Sequence, residues 1–310
     1  MTRTPYDQFA KQYLAELLAP LGEVETSREV AGEVRQVDVW FAPAPAGVEP
    51  ASERQILGLL GQMASSACLL EPFRNQPAWV EIRSCLLKLF SIHSEMQRKA
   101  RREENSLPEA DLPRLWVLSP SCSPRLLEAF GATADAAGNW PEGVYFLPAA
   151  MRTALVAINQ LPRTEETLWL RLLGNSSTQR QAVNEVTALP PAHPLLNNIL
   201  ELLSNWRITV EASQNLSDDE RELIMNLSPA YLKWREDTLL EGMREGMREG
   251  MREERRATIN NLLRVRFGAL DEELSAIIEP LLQLSPEEFT RLLLTLSREE
   301  LLAQFGAQNL

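Results

Sequence analysis

Histidine, cysteine and basic charge are all in short supply. Two histidines, His93 and His193, are too few for a histidine-based metal centre. Three cysteines, Cys68, Cys85 and Cys122, sit far apart with no CxxC pair. That removes a disulfide framework and a thiolate zinc site, and reads as buried thiols in a reducing compartment. No stretch nears the ~20 apolar residues of a membrane span, and the opening MTRTPYDQF has no signal-peptide core. A cytoplasmic protein with no membrane partner is therefore expected. Lysine and arginine number 31 against 43 acidic residues, a net charge of −12. This excludes a molecule coated in basic surface for nucleic acid and leaves only local patches. The deficit is weighted to the back of the chain. The first 160 residues hold 15 basic and 19 acidic side chains, the remainder 16 and 24.

What is present starts with GEVRQVDVWF, residues 32–41. Val37, Val39 and Phe41 alternate with Gln36, Asp38 and Trp40, the period-2 pattern of a strand. Aspartate is disfavoured in strands, so Asp38 has two readings. Either its face is solvated, or a rigid element aims its carboxylate into a cleft where it can hold a divalent cation.

Upstream, Thr4 and Pro5 open a helix whose apolar stripe runs from Phe9 to Leu21, with Glu16 at its edge. Residues 23–30 pair with 32–41 as a hairpin turning at Ala31-Gly32. A helix over 52–65 follows, then a strand CLLEPFR carrying Glu71, with Pro72 fixing a strand end or edge. Asn75 and Pro77 open the next helix. Its expected buried stripe is Trp79, Ile82, Leu86, Leu89 and Phe90, with Arg83 among them, His93 on the same face as a core histidine, and Lys88 pointing away. The helix ends in a basic tip, residues 97–102, read as a solvated end or a phosphate contact. Residues 115–118 and 144–147 are expected strands flanking a short helix, which suggests a parallel pairing.

From Ala149 the pattern is read as wholly helical, over 149–160, 165–173, 176–188 and 195–206, with a capping box at Ser217 and Glu220. Glu-Gly-Met-Arg then repeats three times over 241–252. On a helix this makes adjacent Gly and Met rows, read either as a self-associating paired helix or as an exposed linker. Capping boxes at Ser285 and Ser297 complete a helical tail.

The order of the first half, helix, hairpin with Asp38, strand with Glu71, helix with Arg83, strand, resembles the PD-(D/E)XK nuclease core. The segments EVRQVDVWFAP, CLLEPFRN, EIRSCLLKLF, ETLWLRLLG and ELIMNLSPAYL more specifically resemble Rpn-type recombination-promoting nucleases and transposase-like proteins. The tail is similar to a C-terminal helical domain of unknown function found with them. The resemblance implies an α+β fold: a restriction-endonuclease-like mixed sheet flanked by helices over 1–160, then an all-α half comprising an extension (161–232), a linker helix (233–257) and the tail (258–310). It implies a Mg²⁺-dependent endonuclease acting on DNA, with Asp38, Glu71 and Arg83 catalytic and Asp38, Glu71 and Glu16 as ligands. The sequence departs from the family at Glu71-Pro72-Phe73-Arg74, where Glu-x-Lys is expected. An inactive nuclease-like scaffold is the alternative.

Overall fold

A computed structural model describes residues 5–29, 36–44, 51–212 and 218–306. The chain forms two compact units, Met1–Trp234 and Arg235–Leu310. Among the described residues no helix is long and apolar enough to cross a membrane.

The first unit opens with α1 (Pro5–Leu18), then β1 (Gly22–Glu29) and β2 (Gln36–Pro43). The Ala31-Gly32 turn lies outside the described residues. Two short helices follow, α2 (Ala51–Ile56) and α3 (Gly58–Met63), where one continuous helix was expected. Gly58 breaks it, at a φ of 51°. A Cβ there would lie 2.4 Å from the backbone oxygen of Glu166, so the glycine serves both a left-handed conformation and a close approach.

Next come β3 (Cys68–Pro72), α4 (Trp79–Arg102), β4 (Arg114–Ser119), α5 (Pro124–Ala129), β5 (Thr133–Ala134), β6 (Val144–Phe146) and β7 (Thr153–Ala157). α4 begins later than Asn75 and Pro77 suggested. Its first free amide, at Ala78, is met by the Glu81 carboxylate at 2.7 Å. The unit closes with α6 (Leu168–Arg171), α7 (Ser176–Thr187), α8 (Leu196–Glu211) and the start of α9 (Asp218–Phe267). Ser217, the expected cap, lies outside the described residues.

Among the described residues seven strands form one mixed sheet in the order β1-β2-β3-β4-β7-β6-β5. β3, β4 and β7 run parallel at its centre, and the outer pairs are antiparallel. The protein is thus α+β, a mixed sheet followed by a long helical half. β7 corrects the sequence reading twice. Residues 149–160 are a strand between 3₁₀ turns, not a helix, and the parallel neighbour of β4 is β7, not the 144–147 strand. Thr-Ala-Leu-Val-Ala is buried throughout, and a short apolar run buried on both faces has no period to betray it.

Both faces of the sheet are covered. One core joins Val39, Phe41, Leu70 and Trp116 to α1, α3, α6, α7, α8 and the first turns of α9. The other joins Val37, Trp40, Leu69, Leu115 and Val117 to α4 and α5. α1 and α8 meet through Phe9 and Trp206, stacked at 3.9 Å and 9°. The Tyr13 hydroxyl donates to the Trp169 carbonyl at 2.7 Å, tying α1 to α6. Arg171, fully buried, is neutralised by Glu185 at 2.6 Å.

The second unit is all-helical. The last turns of α9 pack Ile259 and Leu263 against α10 (Glu272–Ala276), α11 (Ile278–Leu282), α12 (Pro286–Thr295) and α13 (Arg298–Phe305). Ser285 with Glu288 and Ser297 with Glu300 form the expected capping boxes. Gly268, at a φ of 86°, ends α9 as expected.

Candidate functional site

The site grows from a break in strand alternation. Val37 packs on the α4 side of the sheet with Trp40, while Val39 and Phe41 pack on the α1 side. Val37, Val39 and Phe41 therefore do not share a face, as the simple period-2 reading had it. The irregularity falls at Asp38. Across from it Ser27 takes a left-handed conformation, φ 57°, and the β1–β2 register passes from Thr26↔Val39 to Arg28↔Val37 with no pair between. The Asp38 amide is turned to the other neighbour and donates to Glu71 Oε1 at 3.4 Å.

Glu71 lies on β3, one step beyond the Val39↔Leu70 pair, so the register sets the two acidic residues side by side on adjacent strands. Its residue surface is 1% exposed. Lys88 of α4 places Nζ 2.7 Å from Glu71 Oε2, and the Cys85 thiol lies 3.8 Å from the same oxygen. Lys11 of α1 completes the cluster, its Nζ 2.8 Å from Asp38 Oδ1 and 3.1 Å from Asp7. The Asp38 and Glu71 carboxylates thus sit side by side at the end of the β2–β3 pair, with the Lys11 ammonium beside the first and the Lys88 ammonium beside the second.

Electrostatics follow from burial. Glu71 is pushed up to about 8, first by loss of water around the carboxylate and then by the negative charge of Asp38, with Lys88 opposing both. Burial alone would lower the Lys88 ammonium, but Glu71 beside it outweighs that and holds it above its ordinary value. Lys11 is likewise held up, burial opposing and Asp38 and Asp7 prevailing. The Cys85 thiol is pushed far up by burial and by Glu71, which makes it a poor nucleophile.

Two of the four expected site residues, Asp38 and Glu71, are brought together. Arg83 is not brought to them: it is exposed, and its Nε donates to the Trp79 carbonyl at 3.2 Å. Lys88, expected to point away, supplies the cation instead. The true buried series of α4 is Ile82, Cys85, Leu89, Ile92 and His93, which sets Lys88 on the flank facing β3. The large exposed side chains of Trp79 and Phe90 had pulled the sequence-based stripe around the helix and carried Arg83 with it. Glu16 also stays out, accepting from Asn198 Nδ2 at 2.9 Å. Among the described residues no group of three or more His, Cys, Asp or Glu side chains is placed to hold a metal ion. His93 is the core histidine expected, its Nε2 2.9 Å from the Pro113 carbonyl.

The chain matches no protein-family model, no curated protein and no solved structure. What it does must be argued from the cluster itself. Asp38 and Glu71 fit a hard divalent cation such as Mg²⁺, since both offer oxygen donors from rigid strands. Burial first and the charge of Asp38 second raise Glu71, and positive charge between the two carboxylates would relieve the second of these. Lys88 and Lys11 each place an ammonium group against one of the two carboxylates.

Proposed function

We propose that Asp38, Glu71 and Lys88 form a divalent-cation-dependent phosphodiester-hydrolase site, and that the protein is an endodeoxyribonuclease of the PD-(D/E)XK type serving recombination or mobile elements. The observation that carries this reading is the arrangement of Asp38 and Glu71 on adjacent strands with the Lys88 ammonium 2.7 Å from Glu71. Asp38 and Glu71 would hold Mg²⁺, which when bound supplies Lewis-acid stabilisation of the phosphate and a more acidic attacking water. Lys88, fixed by Glu71 and by its place on α4, holds positive charge where the phosphate develops negative charge and orients the attacking water. Lys11 restrains the Asp38 carboxylate from the opposite side. The basic role missing from Glu71-Pro72-Phe73 is thereby taken by a residue of the following helix.

The ion pairs favour a second reading. Lys88 with Glu71 and Lys11 with Asp38 neutralise both carboxylates, as a structural cluster in an inactive nuclease-like scaffold would. One assay separates them. Purified protein with Mg²⁺ or Mn²⁺ is expected to nick supercoiled DNA. Asp38→Ala should abolish cleavage, Lys88→Ala should lower it by about 10²–10³-fold, and Arg83→Ala should leave it intact. Absence of cleavage with either cation, or cleavage unchanged in Asp38→Ala, rules out the nuclease and leaves the scaffold.

A further inference from the structure

Every residue from 235 to 254 on α9 is exposed. Most helical stability in proteins comes from packing of an apolar face rather than from propensity; this span buries no such face, and Gly242, Gly246 and Gly250 each cost about 1 kcal/mol in propensity. The same span leaves Leu239, Leu240, Met243, Met247 and Met251 between 44% and 70% exposed. A helix this unfavourable alone, carrying this much apolar surface, is explained by a partner.

The rows identify that partner. Met243, Met247 and Met251 form an i±4 ridge. The neighbouring i±4 row is glycine, and a Cβ built at any of the three meets nothing within 4 Å. A ridge beside a groove of equal spacing is self-complementary: the Met ridge of one helix fills the Gly groove of another, and the reverse, as i±4 ridges interdigitate in helix pairs. The flanks settle direction. The arginine row, Arg244 and Arg248, adjoins the Met ridge, and the glutamate row, Glu241, Glu245 and Glu249, adjoins the Gly groove. Parallel helices set the arginines of one against the glutamates of the other. Antiparallel helices would set like against like. We infer that residues 239–252 are a homodimerisation element in which two copies of this chain pair their α9 helices in parallel, Met ridge into Gly groove. The interface is isologous, as a twofold dimer requires.

Sedimentation equilibrium of the full chain at micromolar concentration is expected to give twice the chain mass. Replacing Met243→Glu together with Met247→Glu should raise the dissociation constant on the order of 100-fold or more. Both side chains are exposed in the single chain, so the thermal transition of the first unit, Met1–Trp234, should be the same in the variant and the wild type. A monomeric wild type, or a variant that stays dimeric, overturns the inference. Direction is tested through Met251→Cys, because the native cysteines are all buried. A parallel pair brings residue 251 of one copy to residue 251 of the other, so oxidation should cross-link the single variant. Cross-linking only between Met243→Cys and Met251→Cys chains would show an antiparallel pair and overturn the arrangement.

Discussion

At the scale of the residue, Glu71 is the most informative side chain in the protein. Its carboxyl is held near 8, against about 4.3 in an unfolded chain. The folded state binds the extra proton, so this contribution to stability is complete below about pH 4 and is lost as pH rises through about 8. Glu71→Gln, which mimics the protonated group, should therefore match wild-type melting temperature near pH 4 and exceed it near pH 9 in the presence of chelator, as read by calorimetry. A wild-type melting temperature that fails to fall relative to the variant across that window would remove the raised carboxyl from the account. Asp38 and Glu71 were legible in the sequence because acidic residues between strand-forming apolar ones break a rule that local physics normally enforces. Lys88 was not. A lysine on the flank of an amphipathic helix breaks no rule, and only the position of β3 beneath that flank gives it a role.

At the scale of the element, glycine decides where helices stop and how closely they pass. Gly58 is the sharpest case, with its left-handed backbone and the Glu166 carbonyl 2.4 Å from where a Cβ would be. Gly58→Ala should destabilise the first unit by more than about 1 kcal/mol, measured as a lower urea midpoint with unchanged slope. A neutral result would mean that α2 and α3 can merge into the single helix that the sequence suggests. The elements with their own start and stop chemistry were legible: α12 and α13 through their serine caps, the end of α9 through Gly268, β3 through its proline. β7 was not, because its five residues owe their conformation to β4 and β6 on either side, and nothing within the segment records those neighbours.

At the scale of the whole molecule, the arrangement of the first unit bears on how it is assembled. The strand order was only partly readable, since parallel neighbours such as β4 and β7 are far apart in sequence and no local pattern specifies which of them meet. The same remoteness governs α1. Its apolar face is closed by Trp206 of α8 and by Trp169 before it, both made after the last sheet strand. A chain ending at residue 160 should consequently bind a dye for exposed apolar surface and lack a cooperative melting transition, whereas one ending at Trp234 should melt cooperatively. Cooperative unfolding of the shorter fragment would show that the sheet stands alone. During synthesis, at ~5–20 residues per second, α1 must then wait on the order of ten seconds or more for Trp206, with its aromatic face uncovered. The ordering of the chain gives this protein a vulnerable interval during synthesis: α1 completes its contacts only when Trp206 arrives.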